Sequence, residues 1–85
     1  MPLILTMHAR GRMTRDGITE AQVEAIIRQP ERSMPDPAHP SLTLAWRRIP
    51  ELGSRAVRVV YYAAGIDLVI VTAFLDRGAR SPPSL

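Results

Sequence analysis

Two runs of β-branched and aromatic residues near the C-terminus constrain the fold most strongly. The first run spans residues 55–62 and the second spans residues 66–74. Runs of this composition predict β-strands. Ala64-Gly65 lies between them and predicts a tight hairpin turn. We therefore expect an antiparallel hairpin to form the centre of the domain.

The turn position predicts which side chains share a face, because strand residues alternate between the two faces of a sheet. With Ala64-Gly65 as the turn centre, one face is expected to carry Val57, Val59, Tyr61, Leu68, Ile70 and Thr72. The other is expected to carry Arg58, Val60, Tyr62, Asp67, Val69 and Val71. The first face is the more apolar and should receive the helices. The second is apolar enough to predict that something covers it: a chain terminus, a second copy of the chain in a homodimer, or another partner.

A first helix is predicted just after the N-terminus. Thr6 is placed to cap a helix over residues 7–15, and Asp16-Gly17 is placed to end it. A short edge strand over residues 1–5 would precede this helix. Gly11 inside the helix is expected to weaken it by about 1 kcal/mol relative to alanine.

A second helix is predicted by a capping box. Thr19 stands at the N-cap with Gln22 three residues later. Apolar residues then recur at helical spacing, at Val23, Ile26 and Ile27. Pro30 ends this helix, because the residue before a proline avoids helical backbone angles.

The remaining segments complete the fold prediction. Residues 30–40 hold four prolines and predict a loop, and residues 42–47 alternate as a strand does. We predict an α+β fold with two N-terminal helices packed on one face of a three- to four-stranded antiparallel sheet. A single domain would span residues 1–76, followed by a basic, flexible tail over residues 77–85.

The charge balance favours an anionic partner. The 85 residues include 11 arginines, no lysine and 8 acidic residues, which gives a net charge of +3. Arginine presents a planar fork of donors that matches phosphate, so nucleic acid is a candidate partner. A GC-rich genome would equally explain the missing lysines. Without cysteine, a signal-peptide pattern or a run of about 20 apolar residues, we expect a cytoplasmic protein that does not enter the membrane.

The best candidate site lies on the first helix. His8, Arg12 and Arg15 are spaced at i, i+4 and i+7, so they share one helix face. A histidine can transfer a proton near neutral pH, and arginine can hold a phosphate bidentately. This chemistry suits RNA cleavage without a metal. In the alternative interpretation, His8 bonds a loop carbonyl and the arginines form a solvated face.

Other candidates are less clear. The candidates for the second catalytic group are Tyr61, Tyr62, Thr72 and Asp76, with ordinary sheet packing as the alternative. Of these, Thr72 and Tyr62 are the two that we predict to be catalytic. Arg58 and Arg77 are candidate substrate-binding cations. Trp46 is a candidate either to stack on a base or to anchor the core. His8 and His39 are the only histidines, and no ligand cluster or phosphate-binding glycine loop accompanies them, so we expect no metal or cofactor.

Several motifs together resemble one family. The N-terminal motifs are His8-x-x-x-Arg12-Met13, Gly17-Ile18-Thr19 and Arg28-Gln29-Pro30-Glu31-Arg32. The C-terminal motifs are Val57-Arg58-Val59-Val60-Tyr61 and Leu68-Val69-Ile70-Val71-Thr72-Ala73-Phe74. Their order and spacing resemble the small bacterial domain-of-unknown-function family numbered forty-two fifty-eight, over roughly residues 6–76. That family tends to carry arginine directly before the glycine, whereas this chain has Asp16 there.

The resemblance implies a fold and a function. The fold would be that of the RelE, ParE and BrnT toxins, with barnase-like ribonucleases in the same grouping. The function would be a metal-independent ribonuclease, held in check by an antitoxin or immunity protein. His8, Arg12 and Thr72 are the polar positions that it carries over. A non-catalytic protein-interaction module is the alternative, and a ParE-like poison of a protein target or a nucleic-acid binder without catalysis is a third hypothesis.

Overall fold

The computed structural model describes residues 2–78. Two α-helices, one 3-10 turn and five strands follow one another in this range. In chain order they are β1 (Leu3–Leu5), α1 (Met7–Asp16), α2 (Glu20–Arg28), β2 (Arg32–Pro35), β3 (Thr43–Ile49), η1 (Pro50–Leu52), β4 (Arg55–Ala64) and β5 (Asp67–Leu75).

The strands form one five-stranded sheet in the order β1-β5-β4-β3-β2. β1 runs parallel to β5, and every other pair is antiparallel. The α+β class is confirmed, but the prediction of three to four antiparallel strands was wrong in strand number and in direction. β1 is parallel because the chain leaves it through the two helices and returns to its side only with the last strand.

The expected loop over residues 30–40 contains a strand, which the prolines concealed. β2 pairs with β3 so that Met34 lies opposite Leu44. The N–H of Glu31 also donates to the Trp46 carbonyl at 2.9 Å. Pro35 is tolerated because it ends an edge strand, where a missing N–H has least effect on the ladder. Tertiary pairing therefore overrides the local turn signal here.

Both helices begin as the sequence predicts. The Thr6 hydroxyl accepts a hydrogen bond from the N–H of Ala9 at 3.1 Å, and Gly17 ends α1 in the left-handed region at φ 72°. At the start of α2, Thr19 and Gln22 exchange side-chain to backbone hydrogen bonds of 3.1 and 3.0 Å. The capping box is therefore confirmed. It satisfies two helix-terminal donors that would otherwise lack partners.

The main core lies between the two helices and one face of the sheet. It consists of aliphatic side chains: Ala9, Met13, Ile18, Val23, Ile26, Ala45, Ile49, Val57, Val59, Leu68, Ile70, Ala73 and Leu75. A fully buried valine, leucine, isoleucine or methionine side chain stabilises a fold by about 1.5–3 kcal/mol, and the alanines contribute less. The predicted packing of both helices on one sheet face is thus observed.

α1 also covers the exposed edge of the last strand. The Thr6 hydroxyl donates to the Val71 carbonyl at 3.0 Å. At the other end of the helix, Asp16 accepts the N–H of Leu75 at 2.9 Å. These bonds hold α1 beside the C-terminal half of β5, from where its side chains can reach either face of the sheet.

The β4–β5 hairpin differs from its predicted register. Ala64 pairs with Asp67, so the turn centre is Gly65-Ile66 rather than Ala64-Gly65. A bulge at Val71 then shifts the pairing, and Thr72 lies opposite Val60. The prediction that Thr72 faces the helices was wrong, because the extra residue moves it to the opposite face.

No helix within residues 2–78 is long and apolar enough to cross a bilayer. The predicted flexible tail over residues 77–85 lies mostly outside the described residues, which end at Gly78.

Candidate functional site

The sheet face opposite the helices carries a second, smaller apolar cluster. We call this side the open face. Leu44, Trp46 and Val60 are buried there, with Met34, Leu42 and Val71 packed against them. No helix residue in the described part of the chain belongs to this cluster. The open face is therefore covered by its own side chains and not by a secondary-structure layer.

Three arginines and two aromatic rings form an alternating row across this side of the sheet. Arg32 lies over Trp46 with its guanidinium carbon 5.5 Å from the ring centroid. Arg58 lies 5.4 Å from the Trp46 ring and 5.8 Å from that of Phe74. Arg12 lies 4.4 Å from Phe74. We call this row the Arg–aromatic ladder.

The pairing of the strands produces the ladder. Arg32 lies opposite Trp46, Trp46 opposite Arg58, and Arg58 opposite Phe74. Directly paired residues share a face of the sheet, so their side chains meet. Arg12 adds the last cation from α1, which runs beside β5. Each contact is of the cation–π type, which contributes about 0.5–2 kcal/mol depending on desolvation.

Asp76, just after β5, orients the centre of the ladder. Its Oδ2 accepts the Trp46 indole N–H at 3.0 Å, and Nη1 of Arg58 lies 4.0 Å away. Its Oδ1 accepts the N–H of Gly78 at 3.1 Å. This carboxylate therefore orients the Trp46 ring. It is one negative charge beside three arginines, so the net charge of the ladder and Asp76 together is positive.

Three buried polar atoms on or beside the ladder have no hydrogen-bond partner among residues 2–78. They are Nε of Arg12, Nε of Arg58 and the Thr72 hydroxyl. A buried polar atom without a partner costs about 1–3 kcal/mol. No other buried side-chain nitrogen or oxygen in the described range is left in this way. The unmet hydrogen-bonding capacity is concentrated on the open face.

The predicted helix-1 site is only partly assembled. Arg12 joins the ladder, and His8 stands exposed one helical turn before it. Arg15 instead forms an ion pair with Asp16 at 2.9 Å. The hydrogen bond from Arg15, helped by the Leu75 N–H, lowers the pKa of Asp16 from 3.8 to about 2. Asp16 therefore has a structural role, because it is paired with Arg15 and its bond to the Leu75 N–H holds α1 against β5.

The other predicted residues fall in three separate places. Arg58 is part of the ladder, and Thr72 lies on the same sheet face opposite Val60. Tyr62 also lies on the open face, but four residues along β4 from Arg58, which is roughly 13 Å at the usual strand rise. Arg77 lines a separate cleft at the end of the sheet. Sequence reasoning missed Arg32 and Phe74, because only the true strand register brings them to the ladder. Asp76, a predicted candidate for the second catalytic group, is hydrogen-bonded to the Trp46 indole.

The chemistry available to this surface is stacking and anion binding. Arginine planes and aromatic rings both stack on nucleobases, and arginine pairs with phosphate. Within residues 2–78, no group of three or more histidine or acidic side chains is placed to hold a metal ion. His8 is the residue near the ladder able to transfer a proton at neutral pH.

The fold and the ladder define a small α+β domain whose basic, aromatic sheet face is left open by its helices. The sequence profile of a domain of unknown function, DUF4258, matches residues 5–75. The chain therefore belongs to this family, as its motifs indicated. Comparisons with curated proteins and with solved structures give no significant match. The implied relation to the RelE, ParE and BrnT toxins stays a prediction.

Proposed function

We propose that this domain binds single-stranded RNA across the Arg–aromatic ladder and cleaves it without a metal. It would act as the toxin of a toxin–antitoxin or toxin–immunity pair. The observation that carries the proposal is the ladder itself, together with the two buried guanidinium nitrogens that have no partner within residues 2–78. The fold that the family resemblance implies, that of toxin-type ribonucleases, is a second reason for the proposal.

Single strands suit this surface better than duplexes. Trp46 is only 8% exposed beneath Arg32 and Arg58, so an unstacked base would lie on the guanidinium planes of the ladder and on the half-buried Phe74 ring. Each such stacking contact contributes about 1–3 kcal/mol. Arg12 and Arg58 flank the Phe74 ring and can hold the phosphates on either side of a stacked base. A duplex keeps its bases stacked inside and offers no ring face to these side chains.

Cleavage would follow from the position of His8. His8 takes the proton of a ribose 2′-hydroxyl, whose oxygen then attacks the adjacent phosphorus. The bond to the 5′-oxygen breaks, and the products are a 2′,3′-cyclic phosphate and a 5′-hydroxyl, whose proton comes from solvent. Arg12 and Arg58 would stabilise the negative charge of the phosphorane. The Thr72 hydroxyl or Tyr62 would orient the ribose.

Binding is tested with a matched pair of variants on α1. Arg12→Ala removes a ladder cation, while Arg10→Ala removes the same charge from an exposed position on the same helix. We expect Arg12→Ala to weaken oligouridylate binding about 10-fold, the equivalent of ~1.4 kcal/mol. Arg10→Ala should change it less than about 2-fold, as expected for a rim charge. Fluorescence anisotropy with a labelled RNA measures both, and equal losses would contradict the ladder as the binding site.

Cleavage is tested with the two histidines. His8→Ala should abolish growth arrest on induced expression and preserve total RNA, whereas His39→Ala in the exposed β2–β3 loop should leave both unchanged. The products are examined for 2′,3′-cyclic phosphate ends. Intact RNA and normal growth with the unaltered chain would remove the catalytic part of the proposal and leave the binding part to the anisotropy experiment.

A protein-interaction module without catalysis is the second candidate. It is favoured by a row of the open face that remains partly exposed. Ile4 is 46% and Tyr62 is 38% exposed, and both flank Val69 on neighbouring strands. An antitoxin, an immunity protein or a second copy of the chain could cover this row.

The second candidate predicts a different result. Tyr62→Asp together with Ile4→Asp should abolish a stable protein complex while the ladder variants leave it intact. Size-exclusion chromatography with light scattering detects self-association, and co-expression with the neighbouring reading frames detects a cognate partner. A monomer that forms no complex with those products would contradict this candidate.

A further inference from the structure

A cleft opens at the end of the sheet beside the ladder, with a volume of about 390 Å³. Ala56 and Leu75 line its apolar part, and Arg48, Arg55 and Arg77 supply cations, against the single carboxylate of Asp76. The cleft therefore combines an apolar wall with an excess of positive charge. A flat ring attached to a phosphate has this same pair of properties.

Asp76 joins the cleft to the ladder. It lines the cleft and also accepts the Trp46 indole N–H at 3.0 Å. Arg48 pairs with Ala56 in the strand row next to the Trp46–Arg58 pair. Neighbouring rows on one face are separated by two residues, or roughly 6.7 Å. A nucleotide bound at the Trp46–Arg58 pair would thus bring a neighbour that runs along the strand direction to the cleft.

The three arginines of the cleft differ in the ion-pair and hydrogen-bond partners that they already have. Arg48 is bound to Glu31 by an ion pair of 3.1 Å, and this contact lowers the pKa of Glu31. Arg55 uses its Nε to donate to the Leu52 carbonyl at 2.8 Å. Arg55 and Arg77 lie within ion-pair distance of no carboxylate among residues 2–78, and the charge of Arg77 contributes from farther away to the lowered pKa of Asp16. Arg55 and Arg77 are therefore the cations available to a phosphate.

We propose that this cleft is a nucleotide subsite, which extends the RNA-binding surface by one residue beyond the ladder. The base lies against Ala56 and Leu75, and the phosphate lies between Arg55 and Arg77. The carboxylate of Asp76 already accepts hydrogen bonds from the Trp46 indole and the Gly78 N–H. The inference rests on the proposed RNA binding and assigns residues that the motif resemblance does not include.

The first test measures the salt dependence of oligouridylate binding. Each neutralised phosphate of a single strand contributes about −0.7 to the slope of log K against log salt. Arg55→Gln with Arg77→Gln should reduce the slope by about 0.7 and weaken binding about 5- to 10-fold at low salt. Arg10→Gln with Arg28→Gln removes the same charge from the two helices and should leave the slope unchanged.

The second test uses mononucleotides, so that the cleft is examined without the ladder. In the unaltered protein, adenosine 5′-monophosphate should shift the backbone amide NMR signals of Ala56 and Leu75, while adenosine should not. The double variant Arg55→Gln with Arg77→Gln should lose these shifts. Polyglutamate serves as an anion without a base, and we expect it to leave the Ala56 and Leu75 signals in place.

The outcomes separate the cleft from the proposed function. RNA binding that depends on Trp46 and Phe74 but keeps its slope in the Arg55, Arg77 double variant would overturn the subsite alone. No RNA binding by the unaltered protein would overturn the proposed function and the extension of its surface into the cleft. Equal shifts with polyglutamate would overturn the nucleotide assignment, because an acidic protein segment would then be the better ligand.

Discussion

Under the helices the sheet buries only aliphatic side chains, whereas on the open face it also buries the Trp46 ring and three polar side-chain atoms. The helix-covered core includes Ile26 and Ile70 with no exposed surface. The open face includes the unpartnered Nε atoms of Arg12 and Arg58 and the Thr72 hydroxyl. The two faces belong to one sheet and share the same strands. They differ in whether their buried polar side-chain atoms have hydrogen-bond partners among residues 2–78.

This difference indicates what each face is for. Stability alone would favour aliphatic residues on both faces, since a buried atom without a hydrogen bond costs about 1–3 kcal/mol. The helix-covered face follows that rule, and the open face departs from it at three positions close together in space. Departures of this kind are expected where a ligand supplies the missing partners.

The largest effect is expected from the helix-covered face. Ile70→Ala removes a fully buried side chain, and we expect it to lower the free energy of unfolding by about 3 kcal/mol. Urea denaturation followed by circular dichroism measures this change. The folded fraction should bind RNA as the unaltered chain does. A loss below about 1 kcal/mol would mean that this face is not the main source of stability.

The second-largest loss of stability is expected from a change at Asp16, which holds α1 against β5. Asp16→Asn removes the charge that holds α1 against the edge of β5, and we expect a loss of about 1–2 kcal/mol at neutral pH. The pKa of Asp16 is lowered to about 2 in the folded protein, so its contribution is present above pH ~4 and is lost as the pH falls towards 2. The stabilities of the two proteins should therefore converge over that interval, and a constant difference down to pH 2 would contradict the ionic origin.

The Thr72→Val variant is expected to raise stability, whereas a change in the helix-covered core lowers it. Valine has the shape of threonine without the hydroxyl, so this variant should gain up to about 1 kcal/mol of stability if the hydroxyl is only an unsatisfied buried group. RNA binding or cleavage should fall at the same time. Thr43→Val, on β3, provides the matched control and should leave activity unchanged. Thermal unfolding and the anisotropy assay measure both quantities, and a stabilised variant with full activity would remove Thr72 from the site.

The smallest effect is expected far from both faces. Arg28 pairs with Glu24 on the exposed surface of α2. Exposed pairs at this spacing contribute about 0.3–0.5 kcal/mol, so Arg28→Ala should change stability by no more than that and leave RNA binding as it was. A larger change in the urea midpoint would show that surface charge, and not face-specific packing, governs the other variants.

The local signals of the sequence predicted the helices well. Thr19 and Gln22 specify the start of α2 through two hydrogen bonds within four residues of chain, and Gly17 ends α1 through its own backbone angle. Such devices depend on neighbouring residues only. The sequence can therefore reveal them without knowledge of the rest of the fold.

The ladder could be predicted only in fragments, because it depends on register. The bulge at Val71 has no local sequence signature, yet it decides that Thr72 and Phe74 face away from the helices. β2 was concealed by its prolines and carries Arg32 to the far end of the ladder. Helix periodicity predicts Arg12 as a site residue, and the sequence offers Trp46 as a candidate for base stacking. Their meeting across five elements follows from long-range pairing alone.

The parallel pairing of β1 with β5 also has a consequence for synthesis on the ribosome. Leu3 pairs with Leu68, so the earliest strand to emerge must wait for the latest one before it has a neighbour. The same holds for the ladder, because Arg12 meets Phe74 only after the whole hairpin has left the exit tunnel. A nascent chain that stops before β5 lacks both the sheet edge and the surface proposed to bind RNA. The proposed RNA-binding surface is therefore complete only when translation of the domain is complete.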